Sequence, residues 1–229
     1  MANSTRTKPQ TTSNTQDPVQ NLTKSFDKNK NAIIGVIVAI VILVGGYFGY
    51  KNFIVAPKEE KAANALFPAE RWFEIDSLSY VLNGDGQNVG VLTVINKYSN
   101  TPAANRAHYL AGMSYLRLGD AQKAIHHLSK FDGKGTPFQY LAQGAMGDAY
   151  MESNEVEKGI AAYKKAAANE KDAFTSPMYL FRAGLASELN GKTDDAVKYY
   201  KEIKEKYPYS LQAREIDKYL SRVGVATID

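Results

Sequence analysis

The stretch AGLASELNGKTDDAVKYYKEIKEKYP, Ala183 to Pro208, contains a Gly-Lys-Thr triplet like the one that ends a phosphate-binding loop. A Walker A loop also requires a glycine five residues before the Gly-Lys pair, but that position holds Ala186. It requires a preceding strand as well, whereas Leu185 to Leu189 continues a helical pattern. We therefore interpret this stretch as the packing residues of two helices and not as a nucleotide site.

The same spacing of small and aromatic residues occurs twice upstream. Five marker residues in each copy are separated by three, four, five and four positions, and the copies begin 35 and 37 residues apart. The markers are Gly112, Tyr115, Gly119, Ala124 and Leu128 in the first copy, Gly147, Tyr150, Asn154, Gly159 and Tyr163 in the second, and Gly184, Ser187, Gly191, Ala196 and Tyr200 in the third. This pattern resembles the tetratricopeptide repeat, a helix-turn-helix unit of about 34 residues.

Four of the five markers have a predicted mechanical role. The first lets helix B of the repeat approach helix A closely, and the fifth fills the space beside that contact. The third ends helix A in a left-handed conformation. The fourth keeps the helix crossing tight. Pro208 ends the last repeat.

The resulting fold class is all-α: a single N-terminal transmembrane helix followed by a tetratricopeptide-repeat-like α-solenoid. We expect these segments: a mostly disordered cytoplasmic tail 1–30, an anchor helix 31–54, a linker or helix extension 55–64, and a repeat domain 65–229. That domain comprises a degenerate repeat 65–104, repeats 105–139, 140–176 and 177–208, and a capping helix 209–223.

Ala32 to Tyr50 contains no charged residue, and eleven of its 19 residues are Ile, Val, Leu or Phe. This length and composition predict a helix that crosses a bilayer. A cleaved signal peptide is the alternative, but its apolar core would be shorter and closer to the N-terminus. Lys24, Lys28 and Lys30 precede the span, so the positive-inside rule keeps the N-terminus in the cytoplasm and exports the chain after Lys51.

Small residues recur along one side of the predicted span. Such a face lets another helix approach closely in lipid, where association depends on packing. Glycine is also simply common in membrane helices, so the pattern has a second explanation. The residues of this predicted packing face are Gly35, Ala39, Gly45, Gly46 and Gly49.

Composition argues against several kinds of chemistry. Residues 1–31 carry +3 of the net charge of +4, so the exported part is almost neutral and lacks the basic face of a nucleic-acid-binding protein. The absence of cysteine excludes disulfides and thiolate sites. His126 and His127 are adjacent, so they do not form a metal-ligand pair at i, i+4. The stretch Asn83-Gly84-Asp85-Gly86 lacks the series of acidic ligands of a calcium loop and instead predicts a turn. We expect no enzyme activity, no metal and no cofactor.

A binding groove is the alternative to catalysis. In these repeats helix A lines the concave surface at positions two, five, nine and twelve. The same residues could instead belong to the core, because a short solenoid buries part of helix A. The predicted groove residues are Arg106, Tyr109, Met113, Leu116, Met151, Met178, Phe181 and Leu185. The same four repeat positions also include Leu141, Gly144, Asp148 and Glu188.

The chain has a basic tail, one anchor and exported helical repeats, and in this order it resembles the YfgM family. The resemblance includes the run VQNLTKSFDKNKNAIIGVIVAIVILVGGYFGY, which lies before and within the anchor, and the repeats that follow. The resemblance implies a periplasmic ancillary subunit of the SecYEG translocon in the bacterial inner membrane. Its implied partners are SecYEG, a PpiD-like membrane-anchored chaperone, newly exported client polypeptides and membrane lipid. No catalytic residue carries over. A scaffold of another envelope complex, for outer-membrane assembly, secretion or division, is the other function that the sequence allows.

Overall fold

The structure, a computed structural model, describes the backbone of residues 18–226 and the side chains of residues 30, 31 and 34–226. It divides the chain into two units, with the boundary between Ile54 and Val55. The predicted disorder of residues 1–17 lies outside the described residues. Residues 18–30, which we also expected in the tail, belong to a helix.

The first unit is built from helix α1, Pro18–Tyr50, and a π-helical stretch, Lys51–Val55, begins at its end. By length and composition this N-terminal helix can cross a membrane. A Cβ atom added to any of the four glycines of the predicted packing face would meet no atom within 4 Å. The face is therefore open within the first unit, and its role in packing stays a prediction.

The second unit is helical throughout its described residues. The only strand-like contact there is an isolated antiparallel bridge between Gly84 and Val89. Its α-helices are α2 Ala56–Glu74, α3 Leu78–Asn83, α4 Val91–Lys97, α5 Pro102–Arg117, α6 Ala121–Leu128, α7 Phe138–Glu152, α8 Val156–Ala166, α9 Thr175–Leu189, α10 Thr193–Lys206 and α11 Ile216–Arg222.

The helices pack in sequential pairs. α5 packs on α6, α7 on α8 and α9 on α10, and the contacts of α6 with α7 and of α8 with α9 join one pair to the next. Before them, α2 packs on α3, α4 and α5, and after them α11 packs on α10. This order of neighbours is that of a solenoid, in which each pair contacts mainly the adjacent pairs.

The turns within the three pairs have the predicted geometry. Gly119, Asn154 and Gly191 have φ values of +78°, +58° and +72°. A left-handed residue ends each first helix and reverses the chain, which confirms the role of the third marker. Asp120 then starts α6, because its side chain accepts a hydrogen bond from the backbone N–H of Lys123 at 3.1 Å.

Helices α5, α7 and α9 each contact the second helix of their pair through a glycine. A Cβ atom at these glycines would lie 2.4–2.5 Å from the partner side chain, which is too close for any real contact. The predicted pairing of the first and fifth markers is therefore confirmed. The pairs are Gly112 with Leu128, Gly147 with Tyr163, and Gly184 with Tyr200.

Small residues also dominate the buried interior. Ala124 and Ala196, two of the fourth markers, are fully buried. The third, Gly159, lies so close to Met151 that a Cβ atom would sit 2.7 Å from its sulfur. Alanine and glycine at these positions bring helix backbones together, and tyrosine, leucine and isoleucine fill the space between them.

The turn between α3 and α4 is held by Asp85. Its carboxylate accepts hydrogen bonds from the backbone N–H groups of Gln87 and Asn88 at 2.9 and 2.7 Å. The bond from Asn88 is the main reason that the pKa of Asp85 is lowered. The Asp85 carboxylate therefore stabilises this turn, which the sequence predicts. Separately, the described residues contain no group of three or more His, Asp or Glu side chains that could hold a metal ion.

Replacing Gly147 by Ala tests the close helix contact. Alanine favours a helix over glycine by about 1 kcal/mol, but its Cβ would overlap the ring of Tyr163. Overpacking of this kind costs about 1–3 kcal/mol, so we expect a net loss in the free energy of unfolding, measured by denaturant titration of the full chain in detergent.

The control is Ala161→Gly on the exposed side of α8, which should cost about 1 kcal/mol through helix propensity alone. A Gly147→Ala protein more stable than the wild type would contradict the contact between α7 and α8.

Candidate functional site

The eight predicted groove residues lie on α5, α7 and α9, the first helix of each pair. Arg106 is exposed, and the other seven are half-buried. Gly144, which shares their register, is fully enclosed, because a Cβ atom there would overlap the ring of Tyr179 at 1.9 Å. That position joins α7 to α9 and offers no open surface.

The structure brings two of the predicted residues together at a cavity of about 290 Å³. Tyr109 and Arg106 of α5 meet side chains from α2, from the loop after α6 and from the first turn of α7. The rings of Phe131 and Phe138 lie 5.1 and 5.5 Å from that of Tyr109, centroid to centroid. The complete lining is Glu70, Phe73, Glu74, Arg106, Tyr109, Leu110, Phe131 and Phe138.

Phe181 lies at a different place, near the C-terminal end of the solenoid. Its ring meets that of Tyr219 of α11 edge-on, at 4.7 Å between centroids. With Leu211 it borders a second, smaller cavity of about 200 Å³. The predicted groove residues therefore do not line one continuous cavity.

The remaining predicted residues are used in packing. Met113 and Leu116 contact the buried cluster between α5, α6 and α7. Met151 and Met178 contact the larger cluster of the C-terminal helices. Leu185 is half-buried on α9. Since these methionines touch the core, they stabilise the domain in addition to any contact they offer a ligand.

Asp148 joins two neighbouring helix pairs. Its carboxylate accepts a hydrogen bond from the Tyr163 hydroxyl at 2.7 Å and from the Arg182 guanidinium at 2.6 and 2.7 Å. Burial and the bond to Asp148 raise the pKa of Tyr163 well above its usual range. The ion pair is half-buried and hydrogen-bonded on several sides, so it fixes α9 against α7.

Glu188 repeats this arrangement one helix pair later. It accepts a hydrogen bond from the Tyr200 hydroxyl at 2.8 Å and from Arg222 of α11 at 2.8 Å. The bond from Arg222 is the main cause of the lowered pKa of Glu188. A tyrosine of the second helix, a carboxylate of the first and an arginine of the next helix thus form the same link twice. The repeat spacing marks the tyrosines but not this link, because the arginine comes from outside the repeat.

A histidine pair occupies the crossing of α5 and α6. The Nδ1 atoms of His108 and His127 lie 3.1 Å apart, and the ring of Tyr115 stacks on that of His127. Burial, with the nearby His108, His126 and Lys130, lowers the pKa of His127 to about 4. Burial, followed by Lys130 and His126, lowers that of His108. No spacing pattern in the sequence indicates this pair, because its members are 19 residues apart on two helices.

The histidine pair predicts that the domain loses stability as the pH falls from 6.5 towards 4. The unfolded chain takes up protons on histidine below about pH 6.5, whereas folded His127 does so only near pH 4. The unfolded state therefore binds more protons in this window, and stability rises with pH across it. Carboxylates with lowered pKa values contribute only below about pH 4.5. The check is the denaturant midpoint of the full chain between pH 4.5 and 7.

His127→Gln should remove most of this slope. His126→Gln is the matched control, since His126 is adjacent but exposed. A His127→Gln protein that keeps the wild-type slope would show that another group causes it.

Two family models match the chain, both described as the tetratricopeptide repeat. One covers residues 106–132 and the other residues 145–210. The first segment contains α6 and most of α5, and the second contains α8, α9, α10 and part of α7. Comparisons with curated proteins and with solved structures gave no match. With its three glycine-mediated helix pairs, the chain is a tetratricopeptide-repeat protein.

Proposed function

We propose that this protein is a membrane-anchored, non-enzymatic interaction module that assists newly exported polypeptides as an ancillary subunit of the Sec translocon. The observation that carries the proposal is the half-exposed apolar surface on the first helices of the pairs. That surface includes the aromatic cavity beside Tyr109. Open apolar surface of this kind is typical of protein-binding sites.

The anchor in this proposal is helix α1, embedded in the bacterial inner membrane. Lys24, Lys28 and Lys30 before the apolar run favour a cytoplasmic N-terminus. The repeat domain is then periplasmic, where unfolded chains emerge from the translocon. The small-residue face of α1 supplies a surface on which a second membrane helix can pack without side chains in between.

The choice of the translocon rests on the resemblance to the YfgM family. That resemblance covers the run before the anchor, the anchor itself and the repeats that follow. It favours SecYEG and a PpiD-like anchored chaperone as the protein partners. The half-buried surface of the first helices would hold client segments briefly, since its separate open cavities offer a small contact area.

Purification of the tagged protein from native membranes in mild detergent tests this proposal. We expect mass spectrometry to find channel subunits and a periplasmic folding factor with the protein. Recovery of one other envelope complex in fixed proportion, without the channel, would contradict the translocon role and support the scaffold function.

Gly46→Leu should reduce the recovery of membrane partners several-fold, because a leucine side chain would hold the partner helix away. Val44→Leu is the control, since Val44 lies about 200° around the helix from Gly46. Equal recovery with both variants would contradict the docking role of the small-residue face.

A further inference from the structure

The cavity beside Tyr109 is lined mainly by aromatic side chains. Its walls are four aromatic rings and Leu110, and its polar groups stand at the rim. Phe138, the first residue of α7, is 51% exposed. An exposed phenylalanine at the edge of an aromatic cavity is surface that an apolar ligand group would cover.

The walls of the cavity are held in place by contacts outside it. The Arg117 guanidinium lies over the ring of Phe73, 4.6 Å from its centroid, and donates to Asp76 at 2.9 Å. Tyr109 is fixed between Phe131 and Phe138. The site is therefore built before a ligand arrives, which reduces the entropy cost of binding.

The size of the cavity limits what it accepts. A volume of about 290 Å³ lies at the lower end of the roughly 300–1,000 Å³ found for pockets that enclose drug-sized molecules. One large side chain fits such a space, and the apolar walls with two glutamates beside them do not suit the phosphates of a nucleotide. The apolar walls favour an aromatic ring, which can meet the surrounding rings edge-on or offset.

The charges at the rim determine which charged group is favoured next to the bound side chain. Arg106 lies 3.7 Å from Glu59 and 3.3 Å from Glu70, so two carboxylates already neutralise it. Glu74 has only a long contact of 3.9 Å with Arg71, and both side chains of that pair are 69% exposed. These five groups sum to one negative charge. A cation is therefore favoured at the rim, and an anion is disfavoured.

We propose that this cavity, named here the aromatic pocket, binds an aromatic side chain that is followed by lysine or arginine in an extended polypeptide. The inference rests on the proposed function, since it names the client segment that the repeat domain holds. The ring enters the cavity lined by Tyr109, Phe138 and Phe73, and the neighbouring cation lies beside Glu74. The aromatic pocket thus makes the domain prefer unfolded chains that contain an aromatic residue followed by lysine or arginine.

Fluorescence anisotropy with labelled peptides tests the proposal on the full chain in lipid nanodiscs, which keep detergent out of the pocket. Three peptides share a Gly/Ser/Gln background and differ at two central positions: Phe-Lys, Ala-Lys and Phe-Glu. We expect Phe-Lys to bind about tenfold more tightly than Ala-Lys, as for a buried aromatic anchor. It should also bind about two- to fivefold more tightly than Phe-Glu, and that second ratio should shrink at high salt.

Phe138→Ala should weaken the binding of Phe-Lys about tenfold. Phe174→Ala is the matched control, because Phe174 is 71% exposed and directly precedes α9, as Phe138 begins α7. Glu74→Gln should reduce the discrimination between Phe-Lys and Phe-Glu without changing that between Phe-Lys and Ala-Lys.

Binding of a labelled unfolded export substrate distinguishes a failure of the aromatic-pocket assignment from a failure of the proposed function. If it binds the wild type and Phe138→Ala equally, the aromatic pocket is not the client site and only this inference fails. If it does not bind the wild type, the proposed function fails and the inference fails with it. Equal affinity for Phe-Lys and Ala-Lys, or tighter binding of Phe-Glu, would also overturn the assignment.

Discussion

The repeat domain depends on three helix crossings to which the first helix of the pair contributes no side chain. At Gly112, Gly147 and Gly184 the first helix of a pair lies directly against a leucine or tyrosine of the second. Because the helices are so close, the interior is filled mainly by alanine with a few large rings. Some larger apolar side chains of the first helices, such as Tyr109 and Phe181, stay half-buried and border separate open cavities.

The two ends of the solenoid are stabilised differently. In the C-terminal half, Asp148 and Glu188 each link a tyrosine to an arginine of the next helix. The first pair instead holds two histidines at its crossing, and its open side forms the aromatic pocket. The polar links join the C-terminal helix pairs to one another and to the terminal helix. The proposed client site lies in the half that contains the histidine pair, whose burial predicts a loss of stability at acidic pH.

The repeat spacing in the sequence predicted the helix pairs, their turns and the glycine contacts, because each of these depends on residues within one repeat. Other features depend on contacts between repeats. The aromatic pocket needs Phe73 from α2 and Phe138 from α7 beside Tyr109, and these residues share no spacing. Likewise, the ring of Phe181 meets Tyr219 of the terminal helix. Part of the predicted groove is therefore covered by the chain itself, and the sequence pattern alone carries no signal of that contact.

The most direct test of the account is site-specific photo-crosslinking in cells during protein export. A photoreactive phenylalanine analogue replaces Phe138 in one strain and Lys164, an exposed residue of the second-helix layer on α8, in another. The account predicts crosslinks to many different exported chains from position 138 and few from position 164. Equal yields at both positions, or one constant partner at position 138, would contradict the claim that this side of the repeat domain holds passing polypeptides.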